Sequence, residues 1–176
     1  MPCSARLQLI LAFLKPDICQ HKTLVQEVTS RIVSNRFYVV RSKIVQLTRS
    51  QAEEFYFAHR GRFFFTRLVG MISSGPIIPL ILARHNAVQQ WRDMMGPTKT
   101  FRAKVVSPHT IRSQFGLTDT RNAVHGSDSI DSARCEISFF FPEFDFDKWM
   151  NVDEEKLRFG AARWDGERCI HRLQCD

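Results

Sequence analysis

Changes of hydrophobic period constrain the fold of this chain more than any other feature. Residues 7–14 are apolar apart from Gln8 and are closed by Lys15-Pro16-Asp17. So short a run, stopped by a proline, reads as a buried strand. Leu24, Val25, Val28 and Ile32 then fall at i, i+1, i+4 and i+8, one face of a helix, with Asn35 where a left-handed C-terminal residue would sit. Residues 37–47, rich in Val, Ile, Phe and Tyr, read as a second strand. The alternation continues. Ser50-Gln51-Ala52-Glu53 reads as a capping box opening a helix, and residues 62–74 as a further helix stopped by Gly75-Pro76. Residues 77–83 form a third strand, in which Pro79 must lie at the strand start, an edge or a bulge. Ala87, Trp91 and Met94 or Met95 mark a short amphipathic helix, residues 122–125 a fourth and very short strand, and Ile130, Ala133, Ile137 and Phe140 or Phe141 a last helix capped from Ser127-Asp128-Ser129. Two strand-helix-strand halves predict an α/β fold, an α+β sandwich: a ferredoxin-like four-stranded antiparallel sheet with helices packed on it, on one face.

Such a fold needs one full core, and 176 residues at 44% apolar and 24% charged supply it. A chain of this length can bury about 70% of its extended surface. Eight glycines and seven prolines exclude a collagen-like or low-complexity chain. The cysteines (Cys3, Cys19, Cys135, Cys169, Cys175) are odd in number with no C-x-x-C, which predicts neither a disulfide framework nor a zinc knuckle and suits a reducing, intracellular compartment. No apolar run approaches the length of a membrane span, and the first residues carry neither a secretory cleavage site nor a visible mitochondrial presequence. The net charge of +7 suits a polyanionic partner: nucleic acid, an acidic membrane surface or nucleotide phosphates. Residues 97–110 show no period and carry Lys99, Arg102 and Lys104, the pattern of a functional loop. Beyond Pro142, Phe146, Trp149 and Trp164 offer enough apolar surface for the tail to pack on the domain.

The chemistry concentrates in Arg121-Asn122-Ala123-Val124-His125-Gly126-Ser127-Asp128-Ser129. A histidine just before a capped helix is expected at that helix's N-terminus, where backbone N–H groups and the dipole favour phosphate. Neutral imidazole is a competent nucleophile near pH 7. Glu136, semi-buried among Ser132, Ala133, Phe139 and Phe140, can orient the ring and stabilise its positive form. The other histidines (His21, His59, His85, His109, His171) read as ordinary surface or core residues.

Asn122-x-x-His125-Gly126-Ser127-Asp128-Ser129 resembles the signature of the nucleoside diphosphate kinases. Leu14-Lys15-Pro16-Asp17 resembles the family's first-strand motif, Ser74-Gly75-Pro76 its mid-chain turn, and Thr110-Ile111-Arg112 with Phe115-Gly116 the segment before the active site. The order and spacing fit throughout. Residues 115–122 and the tryptophan-containing helix at 88–95 are most similar to the divergent sixth vertebrate-type branch. The resemblance implies a kinase domain over residues 1–142 with a C-terminal extension, 143–176, packed on it. It implies ping-pong transfer of a γ-phosphoryl group from a nucleoside triphosphate to a diphosphate through phosphorylated His125. Glu136 would orient the ring and Tyr56 lie beside it. Lys15, Arg92, Thr98 and Arg112 match phosphate ligands, and arginine suits that work because its charged fork pairs with phosphate oxygens. Phe64 and Leu68 match the residues at the base, and Lys15 and Asn122 those at the ribose. At least one ring of Phe63-Phe64-Phe65 must serve the core instead. Magnesium would be held by the nucleotide phosphates, with Asp128 at most an indirect ligand and no dedicated protein cage.

Two departures stand out. The 98–108 loop is a few residues longer than the housekeeping pattern, with Pro97 where an acidic residue is common, which counts against a hexamer. The long tail is the second. Together they motivate an alternative: a weakly active or inactive kinase-fold interaction protein that needs a protein partner. Nucleic acid ranks last among partners, since no RNP-type string is present. The branch resemblance implies mitochondria, with the cytoplasm as the alternative.

Overall fold

The computed structural model describes residues 5–160 and 162–173. Cys3 and Cys175 lie outside the described residues. The elements run β1 (Gln8–Leu14), α1 (Pro16–Cys19), α2 (Lys22–Ser34), β2 (Tyr38–Ser42), α3 (Arg49–Phe55), α4 (Phe65–Ser73), β3 (Ile78–Arg84), α5 (Ala87–Met95), α6 (Thr100–Val106), α7 (Ile111–Phe115), β4 (Val124–Gly126), α8 (Ile130–Phe140), α9 (Phe146–Lys148), α10 (Glu154–Arg158), β5 (Ala162–Asp165) and β6 (Ile170–Leu173). The main sheet is antiparallel in the order β2-β3-β1-β4, the ferredoxin-like arrangement. Pro79 sits at the start of the interior strand β3, opposite Phe13.

Helices cover both faces of the sheet, not one. The reason lies in β1, where residues 10–14 are all buried, so alternate side chains serve two separate cores. Leu11 and Phe13 join Tyr56, Val69, Ile72, Ile137 and Phe140 on one face. Ile10, Ala12 and Leu14 join Val28, Ile32, Trp91, Met95 and Ile111 on the other.

Local departures have physical causes. The capping box that opens α3 is Thr48 with Gln51, not Ser50 with Glu53: Gln51 N–H donates to Thr48 Oγ1 at 3.2 Å and Thr48 N–H to Gln51 Oε1 at 2.9 Å. Both pairs have the box spacing, and the helix that the first one opens buries Ala52. The helix expected over 62–74 starts at Phe65, and the second strand ends at Ser42, with a lone bridge from Val45 to Ile77 beyond it. The 97–110 stretch is not a loop throughout. It holds α6, a single short helix whose inner face is only Thr100 and Ala103. Thr100 ties it down through Oγ1 to Thr118 O at 2.8 Å and N–H to Asp119 Oδ1 at 3.2 Å.

The chain after Pro142 adds to both cores. Trp149 and Leu157 are buried in the first, and Glu154 Oε1, also buried, accepts from Leu7 N–H at 2.8 Å, fixing the start of β1. The β5–β6 hairpin lies against the sheet edge at β2, where His171 Nδ1 accepts from Val39 N–H at 2.9 Å. Burial holds the His171 imidazole below its ordinary pKa, which keeps that nitrogen able to accept. Covering β2 in this way removes an exposed strand edge.

Candidate active site

His125 stands on β4 opposite Phe13. It is not at the helix N-terminus: α8 begins at Ile130, and the Ser129–Ser132 capping box occupies that end. Side chains from β1, α3 and α8 hold the imidazole instead. Its ring stacks on Phe13 with centroids 4.5 Å apart, and Phe55 meets it edge-on at 5.4 Å. Nε2 lies 2.9 Å from Glu136 Oε2, the two side chains being 19% and 20% exposed. The carboxylate can only accept there, so Nε2 carries the proton and Nδ1 is left with a lone pair and no hydrogen-bond partner among the described residues. Ser127, whose hydroxyl was expected to help cap α8, donates to the same Oε2 at 2.7 Å and so fixes the carboxylate. Tyr56 is buried with its ring centroid 6.5 Å from that of His125, and burial, then the charge of Glu136, pushes its phenol up, so it stays protonated.

A cleft of about 580 Å³ reaches this strand at Gly126 and brings together Arg92, Thr98 and Arg112. Arg112 is the keystone. Its Nη1 donates to Gly96 O at 3.1 Å and Thr98 Oγ1 at 3.3 Å, and its Nη2 to Val124 O at 3.2 Å. Burial lowers its guanidinium to about 10, still charged at neutral pH. Lys15 and Asn122 form a second, buried pair beside it: Lys15 Nζ donates to Asn122 Oδ1 at 2.6 Å and Thr120 O at 3.1 Å. Asn122 Nδ2 donates on to Thr98 O at 3.2 Å, which links the pair to the cleft. Burial, reinforced by Arg112 and opposed by Asp17, brings the Lys15 ammonium down to about 7. Ala123, between Asn122 and the histidine strand, has φ +72°, a left-handed conformation costing an alanine about 1 kcal/mol. Asp17 Oδ2 accepts its N–H at 3.0 Å and Lys15 N–H donates to its carbonyl at 2.9 Å, so the strained turn is held from both sides.

The two residues matched to the base stand apart from that cleft. Phe64 precedes α4, half-buried, against His59 at 5.6 Å, and Leu68 packs on the first core. Of the phenylalanine triplet, Phe65 serves the core and Phe63 is 86% exposed. Asp128 is exposed; the Ser132 hydroxyl, and more weakly the charge of Arg92, hold its carboxyl below the usual range. Among the described residues no group of three His, Cys, Asp or Glu side chains could hold a metal ion.

Two participants escape the sequence reading. The sequence places Ser127 in the cap of the last helix and Trp91 on the apolar face of a short one, whereas Ser127 binds the Glu136 carboxylate and Trp91 the His125 carbonyl. Only the last had a signal, being a tryptophan immediately before a matched phosphate ligand.

The sequence model described as Nucleoside diphosphate kinase matches residues 8–146. "Nucleoside diphosphate kinase 6" of Danio rerio is 48% identical over 174 residues, 99% of each chain, and the Homo sapiens protein of that name is 46% identical over 165 residues, covering 94% of this chain and 89% of its own. The crystal structure of the Aquifex aeolicus nucleoside diphosphate kinase superposes with a TM-score of 0.74 at 37% identity, over 77% of this chain and 95% of that one.

Proposed function

This chain belongs to the nucleoside diphosphate kinase family, and on that premise we propose that it moves the γ-phosphoryl group of a nucleoside triphosphate to a nucleoside diphosphate through phosphorylated His125. The observation that carries the reading is the bond from Nε2 to Glu136, which leaves Nδ1 as the free nucleophilic nitrogen. In the first half-reaction the Nδ1 lone pair forms the N–P bond as the bond to the bridging β,γ-oxygen breaks, and the diphosphate leaves with that electron pair. Nε2 keeps its proton, and Glu136, fixed by Ser127, balances the positive charge growing on the ring. The second half-reaction reverses these steps with a different diphosphate.

Arg92, Arg112 and Thr98 are the groups available to bind the transferred phosphoryl, and Lys15 and Asn122 those for the sugar and inner phosphates. Phosphoryl transfer has a loose, highly charged transition state, so positioning and charge compensation supply most of the rate. Magnesium bound to the nucleotide adds to that compensation, with Asp128 its proposed indirect ligand. Initial rates test the reading: with donor and acceptor varied across a panel of diphosphates, parallel double-reciprocal lines are expected, and intersecting lines would reject a phosphoenzyme.

A second reading rests on α6. Phe101, Val105 and Leu117 are 82%, 70% and 67% exposed, an apolar surface at the insertion with Arg67 beside it. A protein of this fold that depends on a partner would present such a surface. Full turnover by the isolated chain removes that reading.

A further inference from the structure

We infer that Trp91 is a positioning residue for His125, holding the histidine strand at a fixed distance from Arg92. This deepens the proposed function and rests on it. β4 is three residues long, an edge strand paired only with β1, and too short to set its own position firmly. The fully buried indole of Trp91 meets it from α5, and Nε1–H donates to the His125 carbonyl at 3.0 Å. The same ring closes on Gly126: a Cβ there would overlap indole Cδ1 and Nε1, and would press on Met95. Two successive residues of the strand are thus gripped by one side chain, one by a hydrogen bond and the other by contact that only glycine permits.

Phe37 backs the indole edge-on, with centroids 5.9 Å apart, so the indole cannot retreat without disturbing the second core. The next residue on α5, Arg92, lines the cleft at Gly126. One rigid helix therefore carries both the clamp on the histidine backbone and a guanidinium for the phosphoryl group. The consequence is geometric. A displacement of β4 relative to α5 changes the gap between Nδ1 and the phosphorus, and it tilts Nε2 away from Glu136, which belongs to a different helix. Rate responds steeply to such gaps, since a misplacement of about 1 Å can cost about 100-fold.

Trp91→Phe keeps an aromatic ring but removes the donor and narrows the wedge, while Gly126→Ala drives a methyl into it. Single-turnover phosphorylation, normalised to the fraction of histidine that can be labelled, should fall about 10-fold in Trp91→Phe with nucleotide affinity changed less than about 2-fold. Gly126→Ala should lose more, and the double variant should recover part of that loss, because the smaller ring leaves room for the methyl. Imidazole 15N shifts of His125 give a readout independent of turnover: the Nε2–H tautomer should dominate in the parent protein and be mixed in Trp91→Phe. Unchanged phosphorylation and shifts in Trp91→Phe, or strictly additive losses in the double variant, would overturn the positioning role. A parent protein that forms no phosphohistidine would instead overturn the kinase reading, and the tautomer comparison would still decide whether Trp91 sets the ring.

Discussion

Around His125 side chains from other elements hold three polar groups: Glu136 holds Nε2, Ser127 holds Glu136, and Trp91 holds the His125 carbonyl. Along α6 the reverse holds. Thr100 and Ala103 dock the helix, while Phe101 and Val105 face outward and touch neither core. The contrast teaches where sequence change is tolerated. The histidine strand is held by contacts from both faces of the sheet, so any alteration there propagates into the chemistry. Among the described residues the outer face of α6 packs on neither core, which is the face the partner-dependent reading would use.

The sharpest way to break this contrast is at Arg112. Arg112→Ala strips donors from Gly96 O, Thr98 Oγ1 and Val124 O. It should cost about 2–4 kcal/mol in urea unfolding and about 100-fold or more in phosphoryl transfer. Near-parental values of both would mean that the cleft is not organised by this residue. Glu136→Gln comes next. The amide keeps the shape but loses the charge that balances the ring, so kcat should fall about 10- to 100-fold while unfolding shifts by less than about 1 kcal/mol. An equal loss in both would make Glu136 structural.

Lys15 gives a pH-dependent test. Its folded pKa is about 7, against an ordinary 10.5, so the stability linked to this group is complete only above 10.5 and is lost as pH falls through about 7. Binding of phosphate anions favours the charged amine and reverses the shift. Nucleotide binding should therefore take up close to about one proton near pH 8 and almost none near pH 6, read by calorimetry in buffers of different ionisation enthalpy. Equal uptake at both would place Lys15 outside the phosphate field. The smallest effect is expected on α6: the double variant Phe101→Ser, Val105→Ser should unfold within about 0.5 kcal/mol of the parent and transfer phosphate within about 2-fold. A large loss in the isolated chain would erase the contrast.

The same contrast separates what could be read from the sequence. β1, α2, α5 and α8 were legible because each repeats its apolar period several times or is bounded by proline and glycine. α6 and α7 were not, because a seven-residue and a five-residue helix show no repeated period. The second covered face of the sheet was implied by an unbroken apolar β1, yet the ferredoxin-like pattern was read as one-sided. His125 and Glu136 were legible as residues with suitable chemistry, whereas their roles came through resemblance. Ser127 and Trp91 were not legible as parts of the site. Their roles depend on tertiary placement, Trp91 lying 34 positions from the residue it holds. Ala123 carried no signal either, since a left-handed conformation is expected of glycine or asparagine and not of alanine.

The central claim is that His125 Nδ1 becomes the phosphoryl carrier. Incubation with γ-labelled ATP and magnesium, followed by acid and base stability assays and peptide mapping, tests it most directly. The account predicts acid-labile label on His125 that is discharged by added diphosphate and absent from His125→Ala; label retained in that variant, or no label on the parent protein, would contradict it.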